Sequence, residues 1–459
     1  MTDLTALSLW HMTAGESFAP RAPLPGDLVA DVAIVGAGYT GLWTAYYLHR
    51  QAPTLRIVLL EREVAGFGAS GRNGGWCSGI FPASRRRIAQ EGGREAVTRL
   101  QAALDDAVDE VGRVAAAERI DCDFAKGGYV SVARNEAQWI RTQAEVESAR
   151  SWGVSPASLA LLPREEALSR LHANGVLGGT LASNCAALHP ARLVRGLARV
   201  VEAQGVPIYE KTEVTAIAPG RVTTAHGTVT AETVLLATEG FTPSMPGYHR
   251  DLVPMYSLMV ATEPLPAEVW DRIGLAARET FSDKRHLRIY GQRTTDGRIA
   301  FGGRGAPYHF GSRVAAEFDC DPRVHAMLRR VLLDLLPGVP RDVRFTHAWG
   351  GNLGIPRDWY PAVRLDPRTR IGFAGGYVGD GVALSNLSAR ALADLVLGRD
   401  SELVRLPYVG RRSPRWEIEP VRWFGVNAVT RIFASADRVE AASGRPARRA
   451  AWFWRAIGH

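Results

Sequence analysis

Three glycines and one acidic residue near the start of the chain have the spacing of a dinucleotide-binding turn. Gly36, Gly38 and Gly41 follow an apolar run at 31–35 and match the pattern GxGxxG. The first glycine permits a tight turn, the second lets the backbone approach a pyrophosphate, and the third lets a helix pack on the strand. Glu61 lies 20 residues after Gly41, where a carboxylate can accept hydrogen bonds from the hydroxyls of an adenosine ribose. The pattern predicts a dinucleotide site, and a βαβ unit without a ligand is the alternative.

The elements that must position these residues are a strand at 31–35, a helix at about 40–50 and a second strand at 56–60. The helix N-terminus supplies free N–H groups and a partial positive charge to the phosphates. A second glycine-rich loop follows at 66–79, with six glycines in 14 residues. Such a loop lets the backbone approach a flat or charged group closely, so we expect it to contact the ligand as well.

Length and composition are typical of a globular protein with two or three lobes. The 459 residues are 46% hydrophobic and 22% charged, and the net charge of +8 comes from scattered arginines, so we expect no nucleic-acid partner. Four widely spaced cysteines predict neither a metal site nor a disulfide framework. We find no signal-peptide pattern and no apolar run long enough for a membrane span, which favours a cytoplasmic protein. The oligomeric state stays open.

The order of the predicted elements indicates a nucleotide-binding domain that a second lobe interrupts twice. Helices are predicted at 85–118, 134–151, 164–171, 189–204, 322–336 and 382–397, and strands at 127–133, 206–209, 212–217, 233–238, 256–262, 287–292, 298–302 and 371–374. The nucleotide-binding domain then comprises 31–120, 186–244 and 346–400, and the second lobe, with an antiparallel sheet, comprises 121–185 and 245–345. Residues 1–30 contain three prolines and are expected to lie extended over the surface as an N-terminal extension.

A C-terminal extension at 401–459 combines basic and aromatic residues. The apolar residues Val421, Phe424, Val429, Ile432 and Phe433 fall near one face of a predicted helix, and Trp452, Phe453 and Trp454 crowd the end. Packing on the same chain or on a partner subunit is the favoured interpretation. A contact with a membrane surface is the alternative.

Four motifs occur in the order expected of one flavoprotein family: the opening turn, the loop GFGASGRNGGW at 66–76, the strand end TVLLATEG at 233–240 and the closing turn GGYVGDGV at 375–382. Together they make the chain resemble the FAD-dependent amine and amino-acid oxidases of the D-amino-acid oxidase superfamily, especially bacterial oxidoreductases similar to gamma-glutamylputrescine oxidase. The resemblance covers about 8–400. It implies an α/β (α+β overall) fold, with a Rossmann-type FAD-binding domain made of discontinuous segments and an antiparallel-sheet substrate domain.

The resemblance also assigns parts of the cofactor to the motifs. Gly36, Gly38 and Gly41 would hold the pyrophosphate, Glu61 the adenosine ribose, and the backbone of Val214 the adenine. The other residues implied to contact FAD are Tyr39, Thr40, Arg62, Ser70, Gly71, Arg72, Asn73, Gly74, Gly75, Trp76, Thr238, Gly240, Gly375, Gly376, Tyr377, Gly379, Asp380, Gly381 and Val382. The helix that begins after the closing turn would favour the negative charge of a reduced flavin.

Two departures from the family pattern bear on the chemistry. Sarcosine oxidase-like members attach FAD covalently through a cysteine shortly before the last flavin motif, and the matching region at 347–350 has none. The resemblance therefore implies noncovalent FAD. The same members use a lysine in the strand and turn that correspond to 302–311, where this chain has Arg304. This difference leaves the electron acceptor, oxygen or another oxidant, open.

The implied reaction is the oxidation of a C–N bond in a small amine or amino acid. The amine binds neutral, a hydride passes from the α-carbon to flavin N5, and the imine hydrolyses in water. The candidate pocket residues are Tyr256, Tyr290, Arg304, His309, His347, Trp349 and Tyr377, of which Arg304 could bind a substrate carboxylate in bidentate fashion. Each of them could equally be a structural residue.

Three other functions remain as alternatives. A nicotinamide-dependent dehydrogenase would share the first motif, but it would not need the second glycine loop or the closing turn. Oxidation of a 2-hydroxy acid on the same flavin scaffold differs only in details of the pocket. A noncatalytic FAD-binding protein is the third.

Overall fold

The computed structural model describes residues 4–447 and contains the following elements. The helices are α1 Leu9–Met12, α2 Tyr39–Gln51, α3 Ala69–Arg72, α4 Arg85–Ala117, α5 Glu136–Ser151, α6 Arg164–Arg170, α7 Pro190–Ala203, α8 Ala267–Ile273, α9 Pro322–Leu335, α10 Gly381–Val396 and α11 Val421–Ser443. The strands are β1 Leu28–Val35, β2 Ile57–Leu60, β3 Trp76–Ser78, β4 Tyr129–Ala133, β5 Leu159–Pro163, β6 Gly178–Ala182, β7 Cys185–Ala187, β8 Ile208–Tyr209, β9 Val214–Ala218, β10 Arg221–Thr224, β11 Gly227–Leu236, β12 Leu252–Thr262, β13 Thr280–Asp283, β14 Ile289–Arg293, β15 Ile299–Gly303, β16 Phe345–Pro356, β17 Ala362–Leu365 and β18 Ile371–Gly375. Short 3₁₀ helices occur at Leu4–Leu7, Glu239–Ser244, Phe310–Ser312, Ala316–Asp319 and Glu402–Arg405.

The first sheet is built around parallel strands in the order β17-β18-β11-β1-β2-β8. β1 pairs with β11 and β2, and β11 pairs with β18, all in parallel. Alternate residues of β1 face opposite sides: Val32 and Ile34 pack against helices α2, α4, α7 and α10, whereas Ala33 and Val35 join the β9–β10 hairpin. Three separate segments of the chain form this sheet, and the predicted α/β fold with a Rossmann-type domain of discontinuous segments is confirmed.

The second sheet is large and mainly antiparallel, in the order β16-β12-β15-β14-β13-β4-β6-β5. Its longest pair joins β12 to β16, from Leu252 opposite Pro356 to Thr262 opposite Phe345. One face of the sheet is covered by α9, α8 and α6, whose apolar residues form a separate core with Leu258, Val260 and Phe301. The strand β16 then leads directly back to the first sheet, so the two sheets meet where β16 ends.

The predicted helices and strands correspond to observed elements, but several short elements have no counterpart among the predictions: β3, β5, β6, β7, β13, β17, α3 and α8. Two further exceptions bear on the site. The segment at 1–30 was expected to lie extended over the surface, and this expectation is wrong for its first part. Leu4–Leu7 and α1 are helical, and Leu9 and Trp10 are almost completely buried. The burial of two large apolar side chains outweighs the extended conformation that the prolines favour further along. The second exception is β16, which the glycine-rich sequence at 345–356 did not reveal.

The C-terminal helix α11 packs on the same chain, as the favoured interpretation predicted. Phe433 is buried, and its ring stacks on His286 of the second lobe with the centroids 5.9 Å apart. Val421 and Phe424 remain exposed, so the expected apolar face is only partly covered. The aromatic cluster at 452–454 lies outside the described residues. Within 4–447, no helix is both long and apolar enough to cross a membrane.

Candidate functional site

A large cavity lies at the carboxyl ends of β1, β2 and β11, where ligands bind in open parallel sheets. Together with the space at its open mouth, it has a volume of about 1260 Å³. Fifteen of the residues assigned to the cofactor from sequence line it: Gly36, Gly38, Tyr39, Thr40, Glu61, Arg62, Ser70, Asn73, Val214, Thr238, Gly240, Tyr377, Gly379, Gly381 and Val382. The structure therefore brings all four sequence motifs to one cavity.

The opening turn has the backbone that the glycine pattern predicts. Gly36 has a φ of 105°, and a Cβ there would lie 2.6 Å from the carbonyl oxygen of Ala237. A Cβ on Gly41 would lie 2.0 Å from the Gly36 carbonyl oxygen, so any side chain would push α2 off the turn. Gly41 is thus required for packing between helix and strand and does not line the cavity.

Glu61 ends β2 and forms the acidic part of the wall. Its Oε2 accepts a hydrogen bond from the Ala37 N–H at 2.9 Å and its Oε1 accepts one from the Glu63 N–H at 2.9 Å. Burial raises the pKa of this carboxyl. Since each carboxylate oxygen has a second lone pair, Glu61 can still accept hydrogen bonds from ribose hydroxyls. Val214 lines the same end of the cavity.

The second glycine loop contributes fewer residues to the wall than the resemblance implied. Asn73 and Ser70 line the cavity, and the Ser70 hydroxyl accepts a hydrogen bond from the Tyr39 N–H at 2.9 Å. The loop residues Gly71, Arg72, Gly74, Gly75 and Trp76 lie behind the wall. Their glycines have packing reasons: a Cβ on Gly74 would lie 2.7 Å from the Tyr290 ring, and one on Gly75 would lie 2.0 Å from Gln292 Nε2.

Arg72, which the resemblance implies to contact FAD, is engaged inside the protein. It is 4% exposed, and its guanidinium donates to Asp319 Oδ2 at 2.5 Å. Its backbone carbonyl accepts a hydrogen bond from Trp349 Nε1 at 2.9 Å. Arg72 therefore ties the glycine loop to β16 and to the 3₁₀ helix that ends at Asp319.

The closing turn joins β18 to α10 and is held by a residue that sequence reasoning missed. The carboxylate of Glu239 accepts hydrogen bonds from the N–H groups of Gly376 at 2.8 Å and Tyr377 at 3.2 Å. The Tyr377 hydroxyl in turn lies 2.9 Å from Thr40 Oγ1 at the start of α2. The only sequence signal was an acid directly after the buried strand TVLLAT. Gly375, Gly376 and Asp380 belong to this turn but do not line the cavity.

Two of the candidate pocket residues lie beside the closing turn. Arg304 donates a hydrogen bond to the carbonyl oxygen of Val378 and stacks on Trp359, with its guanidinium carbon 5.4 Å from the ring centroid. The Tyr290 hydroxyl lies 2.8 Å from Ser257 Oγ. Burial raises the pKa of Tyr290, while the charge of Arg304 acts in the opposite direction, so the two side chains are neighbours.

Asp380 and Arg288 join this group. Burial raises the pKa of Asp380, and the charges of Arg288 and Arg304 lower it. Burial lowers the pKa of Arg304, and the like charge of Arg288 adds to this effect. Within residues 4–447, the Asp380 side chain makes neither a hydrogen bond nor an ion pair and leaves the N-terminus of α10 without a side-chain cap. The charges of two guanidinium groups thus act on the Asp380 carboxylate, and Arg304 contacts the closing turn directly through its hydrogen bond to Val378.

The remaining candidates lie away from the cavity and have structural partners. The Tyr256 hydroxyl accepts a hydrogen bond from the Ala315 N–H at 3.2 Å, and His309 stacks on Phe318. Trp349 is 2% exposed and donates to Arg72. His347 lies with Nε2 3.2 Å from the sulfur of Met12, and burial lowers its pKa. None of these four lines the cavity wall.

The wall fits a long anionic ligand with an aromatic end. The N-cap residues of α2 and α10 make no side-chain cap, and both helices begin at the cavity. The Ser70 hydroxyl already accepts from the first N–H of α2, so the other N–H groups of the two first turns are the ones available to phosphates. Asn352 lines the wall, is 2% exposed, and its buried Nδ2 has no hydrogen-bond partner within the described chain. Because buried polar groups are normally paired, this donor fits a ligand acceptor. The residues present therefore match FAD.

A parallel sheet with this two-ended cavity, joined to a large antiparallel sheet, defines a flavin-dependent oxidoreductase. The chain belongs to the DAO family, described as FAD dependent oxidoreductase, whose model matches residues 31–395. It is an enzyme of that class, and its cofactor is FAD. All four of its cysteines are free and none lines the cavity. Noncovalent binding of FAD remains a prediction.

Individual relatives cover most of the chain. The probable oxidoreductase OrdL of Rhizobium meliloti is 33% identical over 405 residues, which are 84% of this chain and 89% of that protein. The gamma-glutamylputrescine oxidoreductase of Escherichia coli is 29% identical over 429 residues, 90% of this chain and 96% of that protein. Among solved structures, glycine oxidase from Geobacillus kaustophilus matches with a TM-score of 0.70 at 20% identity, covering 84% of this chain and 99% of that chain. This last likeness shows the fold.

Proposed function

We propose that the protein oxidises a C–N bond of a small amine or amino acid with noncovalently bound FAD. The observation that carries the proposal is the position of Arg304 and Asp380 at the closing turn, where Arg304 donates to the Val378 carbonyl oxygen and Asp380 immediately precedes α10. The similarity to the gamma-glutamylputrescine oxidoreductase of Escherichia coli, whose name specifies an amine substrate, supports the same assignment. When bound, FAD would accept a hydride at N5 from the carbon attached to nitrogen, leaving an imine that hydrolyses in water.

Asp380 is the residue that would attract the substrate nitrogen. Its carboxylate has no hydrogen bond or ion pair to another side chain within 4–447, and it lies at the end of the closing turn, between the cavity-lining residues Gly379 and Gly381. A substrate ammonium would supply the missing partner, and the carboxylate would draw it toward the turn before the amine loses its proton. Burial makes this attraction stronger than it would be in water.

Arg304 and Arg288 would bind an anionic group elsewhere on the substrate. Stacking on Trp359 holds the Arg304 guanidinium in one orientation, which reduces the entropy lost when it binds a carboxylate. The Tyr290 hydroxyl, next to Ser257 Oγ, offers one further polar contact. The substrate class that suits these groups is an amine that also carries a carboxylate.

The decisive experiment is an anaerobic reduction screen of the purified holoprotein. The absorbance of oxidised flavin at about 450 nm is followed while candidate substrates are added one at a time. The candidates are polyamines, N-methyl amino acids, D-amino acids, amines with a distant carboxylate and 2-hydroxy acids. We expect bleaching by at least one amine that bears a carboxylate. Bleaching by hydroxy acids alone, or by none of the compounds, contradicts the proposal.

Acid precipitation of the same preparation tests the linkage to FAD. We expect a colourless pellet and a yellow supernatant, because noncovalent FAD is released when the fold is lost. A yellow pellet shows a covalent bond. Reoxidation of the bleached enzyme with air or with a dye then identifies the class of electron acceptor.

A further inference from the structure

Glu239 is an unusual residue for the wall of a site that binds an anionic cofactor. Its φ is 42°, in the left-handed region that non-glycine residues rarely adopt. It lines the cavity, and within residues 4–447 it has no ion pair with a basic side chain. A strained backbone and a buried carboxylate without a positive partner both cost free energy, and such costs concentrate at functional positions.

The hydrogen bonds of Glu239 join segments that lie far apart in the sequence. The carboxylate accepts from Gly376 and Tyr377, so it holds the closing turn against the end of β11. The hydroxyl of Tyr377 then contacts Thr40 at the N-terminus of α2. Movement of the Glu239 carboxylate would therefore displace both helix N-termini that face the cavity.

The surroundings of Glu239 contain few other ionisable groups. The 3₁₀ helix that Glu239 begins packs against β12 and β16, and the residues of these strands beside it are Leu252, Asn352 and Gly354, none of which is charged. Tyr377 is the titratable residue in contact with it, and burial, together with the charge of Glu239, raises the pKa of Tyr377. Burial raises the pKa of Glu239 itself to about 7, although the N–H groups of Gly376, Tyr377 and Gly354 act in the opposite direction.

We propose that Glu239 is a positioning residue for FAD and that its carboxylate takes up one solvent proton when the cofactor enters the cavity. The pyrophosphate of FAD carries negative charge at neutral pH, and a bound cofactor removes the remaining water from the wall. Both changes disfavour the ionised carboxylate. The protonated form keeps a carbonyl oxygen for one N–H of the closing turn and gains an O–H donor. The inference rests on FAD as the cofactor and is independent of the substrate.

Proton uptake can be measured directly with the wild-type protein from which FAD has been removed. FAD is titrated into the apoprotein by calorimetry in two buffers with different ionisation enthalpies, at several values between about pH 5.5 and about pH 8. We expect almost no uptake at the acidic end, where Glu239 is already protonated, and an uptake that approaches one proton above neutrality. The dissociation constant of FAD should rise above neutrality by up to about tenfold per pH unit. Uptake that is absent across the whole range overturns the proposal.

The variant Glu239→Gln tests whether Glu239 is the group that takes up the proton. The amide has nearly the same shape but cannot titrate, so we expect FAD binding without proton uptake and with an affinity independent of pH in this range. Glu61→Gln is the matched control, because it changes the other buried carboxylate of the wall; it should weaken FAD binding at every pH and leave the uptake in place. Uptake that persists in Glu239→Gln, or disappears in Glu61→Gln, contradicts the assignment. If Glu239→Gln fails to fold, Glu239→Asp is used instead, because its shorter side chain withdraws the carboxylate from the closing turn. The pH at the midpoint of proton uptake should then change, and an unchanged midpoint contradicts the assignment to Glu239.

Discussion

At the scale of single residues, the carboxylates of Glu61 and Glu239 lie on the same cavity wall but support different turns. Glu61 supports the opening turn through the Ala37 N–H and presents its remaining lone pairs to the ligand. Glu239 supports the closing turn through Gly376 and Tyr377. The acid at the first position followed from its distance to the glycine turn. The second could not be assigned, because its partners come from a segment more than a hundred residues later and no local pattern connects the two.

Arg304→Lys should weaken the recognition of substrate while leaving the cofactor bound. Lysine keeps the charge but loses both the planar fork and the stacking on Trp359. We expect kcat/KM for an amine with a carboxylate to fall by about 10- to 100-fold, since a charge-assisted hydrogen bond is worth about 1.5–3 kcal/mol. Steady-state kinetics with and without the carboxylate on the substrate measure the effect. Only the charged substrate should respond.

The control for this change is Arg293→Lys. Arg293 stacks on Trp270 at 4.5 Å in the same way, but the pair lies outside the cavity. We expect unchanged kcat/KM. If kcat/KM falls equally in both variants, the effect of Arg304→Lys comes from a general loss of stability rather than from a lost contact with the substrate.

At the scale of elements, the short N-terminal helix α1 supports the second glycine loop. Trp10 Nε1 donates to the carbonyl oxygen of Asn73 at 2.8 Å, and Asn73 lines the cavity. The helix also contacts α7, because Thr13 Oγ1 lies 2.9 Å from His189 Nε2. A segment that sequence reasoning treated as a surface extension is therefore part of the support of the site.

Trp10→Phe should weaken FAD binding. An aromatic ring remains, although it is smaller than the indole, and the N–H that holds the Asn73 carbonyl is lost; a neutral hydrogen bond contributes about 0.5–1.5 kcal/mol. We expect the FAD dissociation constant to rise by about two- to tenfold, measured by quenching of flavin fluorescence. Trp270→Phe removes a similar indole hydrogen bond, to the Gly297 carbonyl oxygen at 3.2 Å, and should leave FAD affinity unchanged. Equal affinities of the Trp10 and Trp270 variants would refute the role of α1.

The same junction should make the protein sensitive to acid. Burial lowers the pKa of His189 to about 3, with the charge of Arg192 acting in the same direction, from an ordinary value of 6.5. The unfolded chain therefore binds a proton that the folded chain excludes between about pH 6.5 and about pH 3, so stability is complete above this window and falls as the pH decreases through it. His189→Gln should remove up to about 1.4 kcal/mol per pH unit of this dependence, measured by urea unfolding at a series of pH values. An unchanged slope in the variant would contradict the assignment.

At the scale of the whole molecule, the first and last segments of the first sheet were recognisable from the sequence because each is followed by a glycine turn. The helices followed from apolar spacing and from prolines in the first turn, such as Pro190 and Pro322. β16 was not recognisable, since it contains four glycines or prolines in 12 residues and its pairing with β12 is a long-range contact. Arg72 and the candidate Trp349 illustrate the same limit: residue type suggested a ligand contact, whereas tertiary packing uses them to connect the glycine loop to β16.

Glu440→Gln should loosen the C-terminal helix without affecting the cofactor. The carboxylate binds Arg141 at 2.8 Å and His286 at 2.9 Å, and these bonds hold the pKa of Glu440 down at about 2 against the opposing effect of burial. Stability from this group is present above about pH 4.5 and is lost as the pH falls towards about 2. Removing the charge should cost about 3 kcal/mol at neutral pH, because it leaves Arg141 without its buried partner. We expect a lower free energy of unfolding in urea and faster proteolysis within α11, with FAD affinity unchanged. The control is Glu402→Gln. Because the ion pair of Glu402 with Arg405 is exposed, this change should lower the free energy of unfolding by less than about 1 kcal/mol. A parallel loss of FAD affinity in Glu440→Gln would show instead that α11 is coupled to the cofactor cavity.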